Sequence, residues 1–165
     1  MEGPSGFVTI TGRIKEIIIT AGGENIPPVL IEENIKDALP ALSNCMVIGD
    51  KRKFLSILFC LQVEIDEEGV PSNKLTGLSL DTSKKIGSKA ITTDDAKMCE
   101  LWKAHLDEGL KVANGKATSR AQNVAKWTLH TTDFSEKTGE LTPTLKLKRK
   151  VTEEIHDTII EAMYA

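Results

Sequence analysis

The stretch that most constrains the fold covers residues 12–34, with the sequence GRIKEIIITAGGENIPPVLIEEN. Arg13 and Lys15 precede an apolar run at residues 17–19, which predicts a short strand. The turn at residues 21–25 contains two adjacent glycines, which can take positive φ or let the backbone lie close to a ligand. Two prolines and an apolar residue at every fourth position then predict a helix. A strand, a glycine turn and a helix start therefore lie within 23 residues.

The remaining pattern predicts a small α+β domain. The first half of the chain predicts a short strand at residues 7–10, a strand at 15–20, a helix at 28–39 that ends before Pro40, and an antiparallel hairpin of strands at 44–49 and 54–63. A surface excursion with one short helix follows at residues 64–93. The second half predicts a helix from Asp94, a second helical piece over 117–124, a strand at 127–134, a loop at 135–145 and a final helix over 151–163. We expect a three-stranded sheet flanked by helices, with a two-stranded hairpin at the N-terminus.

Composition is ordinary for a soluble domain and excludes several classes of protein. The chain has 165 residues, 40% of them hydrophobic, and a net charge of −3, so its overall charge does not favour nucleic acid or an anionic membrane. Its three cysteines lack the spacing of metal ligands, and we expect reduced thiols in a cytoplasmic protein. No apolar run approaches the roughly 18 residues of a membrane span, and no signal peptide is recognisable. We expect residues 1–6 to be a cloning remnant or a linker, and residues 7–165 to be one domain of a larger protein.

Two motifs resemble one enzyme family. GRIKEIIITAGGENIPPVLIE is similar to the hinge and thiol-binding motif that opens the C-terminal domain of adenylate-forming enzymes, which include the acyl-CoA synthetases. GELTPTLKLKRK at residues 139–150 resembles the catalytic-lysine loop of the same family. The wording GGENIPP most resembles the long-chain fatty-acid–CoA ligases of the bubblegum type. The resemblance implies the family's C-terminal domain fold, in agreement with the α+β prediction.

Lys146 is the candidate catalytic residue that the resemblance implies. Adenylation crowds negative charge at the α-phosphate of ATP, and a compact ammonium group on a long stem can stabilise that charge. Arg149 matches a further basic residue of the family. The family's usual glycine before the lysine is replaced by Leu145, so Lys148 remains an alternative. Without the motif, these residues would be interpreted as a solvated basic entry to the last helix.

The opening motif implies roles for four more residues. Arg13 falls on the position that contacts the nucleotide, and Lys15 falls on the hinge about which the domain turns between adenylation and thioester formation. Gly22 and Gly23 match the loop that lines the tunnel for the CoA thiol. The alternative interpretations are a salt bridge for Arg13, an exposed lysine for Lys15 and a plain tight turn for the glycines.

The histidines and acidic residues carry no further motif. His105, His130 and His156 share no spacing, so the sequence predicts no metal site. Glu32 lies near the start of the first helix, where the helix dipole favours a negative charge. Trp102 and Trp127 are expected in the core.

The resemblance implies a long-chain fatty-acid–CoA ligase. The whole enzyme would use ATP, Mg²⁺ and CoA, and its partners would be the fatty acid and its own large N-terminal domain, which this chain lacks. We expect a cytoplasmic protein that does not bind nucleic acid, with peripheral contact to the endoplasmic reticulum left open, and we expect the 165 residues alone to be inactive. The alternatives are another acyl- or aryl-CoA ligase, and a non-catalytic interaction domain with the basic run 146–150 as its binding element.

Overall fold

The computed structural model describes residues 17–117 and 119–165. Within this part the strands are β1 (Ile18–Ile19), β2 (Asn25–Ile26), β3 (Leu42–Ile48), β4 (Leu55–Leu61), β5 (Val63–Ile65), β6 (Pro71–Leu75) and β7 (Val124–Leu129), and the helices are α1 (Pro28–Ala38), α2 (Gly77–Lys85), α3 (Thr93–Lys97), α4 (Glu100–Asn114), α5 (Arg149–Ile155) and α6 (Asp157–Tyr164). The strand predicted at residues 7–10 lies outside the described residues.

A three-stranded sheet of order β3-β4-β7 forms the centre of the domain. β3 and β4 pair antiparallel, as predicted, and β4 pairs parallel to β7. β1 and β2 form the predicted two-stranded hairpin, and β5 and β6 form another antiparallel pair. The predicted fold class is therefore confirmed.

Both faces of the central sheet are covered, which explains why every residue of β4 is buried. On one face, Ile57 and Phe59 pack with Trp102 of α4 and with α1. On the other, Leu58 and Cys60 pack with Ile160 of α6. Trp102 is fully buried, whereas Trp127 is only partly buried against the first cluster.

α1 and α4 approach each other closely at Gly109. A Cβ atom built on Gly109 would lie 2.2 Å from Cδ2 of Leu39, well inside the 3.0 Å below which non-bonded contacts of a Cβ atom essentially do not occur. The glycine therefore costs α4 some helix propensity but permits the contact with the end of α1.

Several predicted elements differ from the structure. The excursion at residues 64–93 contains the predicted short helix, α2, which is capped by Thr76, but it also contains most of the β5–β6 pair. The pair was not predicted because its strands are short and give no hydrophobic periodicity. The helical piece predicted over 117–124 is instead a 3₁₀ turn at Arg120–Gln122, followed by β7, which begins and ends earlier than predicted. The final helix is interrupted at His156, which separates α5 from α6. No helix in residues 17–117 or 119–165 is long and apolar enough to cross a membrane.

Candidate functional site

Lys146 lies on a tight loop between residues 141 and 147. Thr142 donates its backbone N–H to the carbonyl oxygen of Lys146 at 2.8 Å, and Lys146 donates its own N–H to Oγ1 of Thr142 at 3.0 Å. Leu141 and Leu147 form a β-bridge at the base of the loop. The backbone of Lys146 is therefore held on both sides, while its side chain is exposed.

Leu145 takes a left-handed backbone conformation, with φ of 65°. An L-residue other than glycine pays about 1–2 kcal/mol for this region, because Cβ approaches a carbonyl oxygen. The motif that this loop resembles has glycine at this position, and the backbone conformation of Leu145 is one that glycine adopts without strain. The side chain of Leu145 is 71% exposed, so packing within this chain does not explain the leucine.

A buried ion pair ties the segment after the lysine loop to α1. The guanidinium of Arg149 donates to both carboxylate oxygens of Glu32, at 2.8 and 2.7 Å. Oε2 of Glu32 also accepts the backbone N–H of Val47 in β3, at 2.8 Å. The side chains of Arg149 and Glu32 are only 14% and 11% exposed. Glu32 therefore links α1, β3 and the start of α5, a role that the helix-dipole interpretation did not predict.

A groove of about 290 Å³ runs between α1 and the lysine loop. Its lining carries both signs of charge, from Lys36 and Glu33 on α1 and from Lys146 and Arg149 on the other side. Lys148, the sequence alternative to Lys146, is exposed but does not line this groove. Of the two lysines, Lys146 is the one placed beside a groove that a ligand could enter.

Gly22 and Gly23 form the turn between β1 and β2. Gly23 has φ of 85° and donates its N–H to the carbonyl of Thr20 at 2.9 Å, so the turn requires a residue that tolerates positive φ. A Cβ on Gly22 would meet only the flexible carboxylate of Glu24, at 3.0 Å. Neither glycine lines the groove beside Lys146. Arg13 and Lys15 lie outside the described residues.

A second polar cluster, which sequence reasoning missed, lies behind the lysine loop. Nε2 of His156 is 2.8 Å from Oε2 of Glu140 and 3.3 Å from Nε2 of His130. Burial raises the pKa of Glu140, but hydrogen bonds from His156, Thr138 and the Ser135 amide outweigh that effect and lower the pKa to about 2. Burial, and then the neighbouring imidazole of His156, lower the pKa of His130 to about 4.

The backbone around Glu140 anchors the lysine loop. Its carbonyl accepts the N–H of Lys148 at 2.8 Å, and its N–H donates to the carbonyl of Ser135 at 3.1 Å. The cluster and the loop are thus parts of one hydrogen-bonded unit. The three side chains of the cluster come from positions 16 and 26 residues apart and share no motif spacing, so only the tertiary structure reveals it.

The chain is similar to known AMP-binding and long-chain-fatty-acid–CoA ligase sequences. Residues 15–76 match the family described as the AMP-binding enzyme C-terminal domain. The chain is 46% identical over 164 residues to the long-chain-fatty-acid–CoA ligase ACSBG2 of Xenopus laevis, which covers 97% of this chain and 22% of that protein. It is 43% identical over 162 residues to the long-chain-fatty-acid–CoA ligase ACSBG1 of Homo sapiens, with 96% and 22% covered.

Solved structures agree on the fold. The adenylation domain of a carboxylate reductase from Mycobacterium chelonae matches with a TM-score of 0.65 at 20% identity, covering 93% of this chain and 20% of that one. The adenylation domain of a carboxylic acid reductase from Segniliparus rugosus gives the same TM-score and coverage at 17% identity. The chain spans about a fifth of the length of its relatives, 22% of the Xenopus laevis protein and 21% of a Gallus gallus long-chain-fatty-acid–CoA ligase. Residues 15–76 of this chain therefore match the family described as the AMP-binding enzyme C-terminal domain, and nearly the whole chain is similar to about a fifth of a long-chain-fatty-acid–CoA ligase.

Proposed function

We propose that this chain serves as the C-terminal domain of a long-chain fatty-acid–CoA ligase and that Lys146 is its adenylation lysine. The observation that carries the proposal is the exposed Lys146 side chain on a loop whose backbone is held by hydrogen bonds, beside a groove. The similarity to long-chain-fatty-acid–CoA ligases along 97% of the chain supports the choice of enzyme.

The proposed chemistry assigns an electrostatic role to Lys146. A fatty-acid carboxylate attacks the α-phosphate of ATP, the bond to pyrophosphate breaks, and an acyl-adenylate forms. Negative charge on the reacting phosphate and carboxylate oxygens is stabilised by a positioned ammonium group, and the fixed backbone of residue 146 reduces the reorganisation needed to place it. Mg²⁺ would accompany ATP and neutralise charge on the departing pyrophosphate.

The second half-reaction would use other residues of the chain. The CoA thiol attacks the acyl carbonyl, a thioester forms and AMP leaves. In this proposal, Gly22 and Gly23 keep the thiol tunnel free of side chains, Arg13 contacts the nucleotide, and Lys15 is the hinge. The large N-terminal domain would supply the fatty-acid pocket and most of the ATP site, so the 165 residues alone are expected to be inactive. Cytoplasmic location with peripheral contact to the endoplasmic reticulum belongs to the same proposal.

The test uses a chimera in which this chain replaces the matching C-terminal segment of the Xenopus laevis relative. Acyl-adenylate formation is measured from fatty acid and ATP, and thioester formation is measured separately from supplied acyl-adenylate and CoA. We expect Lys146→Ala to reduce the first rate by about 100-fold or more, the usual effect of removing one electrostatic contact to a transition state. The second rate is expected to stay within a few-fold of the parent.

Lys148→Ala is the matched control, because it removes the same charge two residues away and outside the groove. It is expected to leave both half-reactions nearly unchanged. If Lys148→Ala impaired adenylation and Lys146→Ala did not, the assignment would move to Lys148. If neither variant changed adenylation in an active chimera, the catalytic role of this loop would be wrong.

A further inference from the structure

The His–Glu cluster, defined as His130, Glu140 and His156, gathers three metal-ligating side chains at one point. His130 directly follows β7, Glu140 precedes the lysine loop, and His156 joins α5 to α6. One ligand atom from each residue lies within 4.8 Å of the other two. His130 and Glu140 are 8% and 2% exposed, and the side chain of His156 is 11% exposed.

No placement of one hydrogen on each neutral imidazole ring satisfies all the hydrogen bonds of this cluster. Nδ1 of His130 accepts the backbone N–H of Thr132 at 3.1 Å, which places the hydrogen of the neutral ring on Nε2. Nε2 of His156 needs its own hydrogen to bond the Glu140 carboxylate at 2.8 Å. The two Nε2 atoms, 3.3 Å apart, would then direct hydrogens at each other. Moving the His156 hydrogen to Nδ1 leaves a lone pair facing the carboxylate, and moving the His130 hydrogen to Nδ1 directs that hydrogen at the Thr132 N–H.

We propose that the His–Glu cluster is a binding site for one divalent transition-metal ion of the zinc type. Two imidazole nitrogens and one carboxylate oxygen form a donor set that Zn²⁺ accepts, with a fourth position left for water. Two nitrogens each about 2.0–2.1 Å from a tetrahedral ion lie about 3.3–3.4 Å apart, which matches the 3.3 Å between the histidines. The 2.8 Å separation of His156 and Glu140 must widen slightly, or the angle at the ion must be nearer 90°.

Hydrogen bonds from neighbouring residues orient the Glu140 carboxylate for metal binding. Oε1 of Glu140, the oxygen not facing His156, accepts hydrogen bonds from the Ser135 amide at 3.2 Å and from the Thr138 hydroxyl. Hydrogen bonds of this kind orient a metal-ligating carboxylate. Binding carries one cost, because His130 must move its hydrogen to Nδ1 and the half-buried Thr132 N–H must turn to another acceptor. An ion in the cluster would join β7, the lysine loop and the α5–α6 junction.

The test measures metal binding and does not depend on the proposed ligase function. The 165-residue chain is stripped with EDTA and titrated with Zn²⁺ against a chromophoric chelator at about pH 7.5, where histidine is neutral. We expect one ion per chain and a rise in Tm of about 5 °C at saturation. X-ray absorption should show nitrogen and oxygen neighbours at about 2.0–2.1 Å and no sulfur at about 2.3 Å.

Variants distinguish the cluster from other ligands. His130→Leu and His156→Gln are each expected to weaken Zn²⁺ binding by about 100-fold. If one of them fails to fold, Glu140→Gln provides the same test, because its amide oxygen can still accept the hydrogen bonds to Oε1. His105→Leu and Cys99→Ser are the controls, and both should bind Zn²⁺ as the parent does. Absence of saturable binding, sulfur in the metal shell, or unchanged binding in the cluster variants would overturn the proposal.

Discussion

Breaking the ion pair between Glu32 and Arg149 should destabilise the domain more than any exposed ion pair could. The pair has two short hydrogen bonds and side chains that are little more than a tenth exposed. Removing one partner of a buried pair costs about 3–5 kcal/mol, because the other charge is left buried without compensation. Both side chains retain some contact with water, so we expect about 3 kcal/mol for Arg149→Met. Glu32→Leu should cost about 1 kcal/mol more, since Val47 also loses its acceptor.

The measurement is urea unfolding followed by tryptophan fluorescence, applied to a double-mutant cycle. The double variant Glu32→Leu with Arg149→Met replaces the pair by apolar side chains, so its cost should be smaller than the sum of the two single costs by at least about 2 kcal/mol. Glu161→Gln provides the control, because it breaks the exposed pair with Arg52. That variant should unfold at the urea concentration of the parent. The reasoning would be refuted if each single variant lost less than about 1 kcal/mol of unfolding free energy, or if the two losses were additive in the double variant.

Three other predictions test the packing, the loop and the response to acid. Gly109→Ala should destabilise the chain by about 1–3 kcal/mol in urea unfolding, because the new methyl group overlaps Leu39. This loss should exceed the gain from the better helix propensity of alanine, and a stabilised variant would show that α1 and α4 separate easily. Leu145→Gly should leave the free energy of unfolding within about 0.5 kcal/mol of the parent, whereas Leu145→Val should lower it by about 1–2 kcal/mol because a β-branched residue tolerates positive φ poorly. Equal free energies of unfolding for the two variants would contradict the left-handed geometry. Burial and the charge of Lys85 lower the pKa of His105, so the unfolded chain binds this proton more readily and stability is lost as the pH falls below the ordinary histidine pKa. His105→Leu should reduce this loss between about pH 7 and pH 5, measured as the free energy of unfolding, and an unchanged pH slope would disprove the assignment.

Local patterns predicted the elements whose signal is periodic. The apolar spacing in α1 and the alternation in β4 each predicted one element type. The structure confirms a helix at Pro28–Ala38 and an antiparallel β3–β4 pair. The glycine turn was equally predictable, because few residues other than glycine take the φ of 85° found at Gly23. Elements without such a signal were predicted poorly: the short helix expected in the excursion received no bounds because α2 is mostly polar, and the short strands β5 and β6 were not predicted as a pair.

The candidate site divides in the same way. Lys146 could be proposed as a site residue because its motif is contiguous, and a contiguous motif is recognisable without knowledge of the fold. The partner of Arg149 could not be found in that way, since Glu32 lies 117 residues earlier and nothing local distinguishes it from a helix-dipole carboxylate. Cys45 shows the same limit, because the burial that raises the pKa of its thiol exists only after β3 is covered.

The sequence by itself therefore determined the fold class and the order of the main elements, and it supplied Lys146 as the candidate catalytic residue. These properties depend on residues close together in the chain, where periodicity and turn chemistry act. The tertiary structure alone decided that Glu32 holds Arg149 and that His130, Glu140 and His156 meet behind the loop. Such contacts join α1 to α5 and β7 to the junction of α5 and α6, and their energies depend on burial and on distances of about 3 Å, which no local pattern encodes.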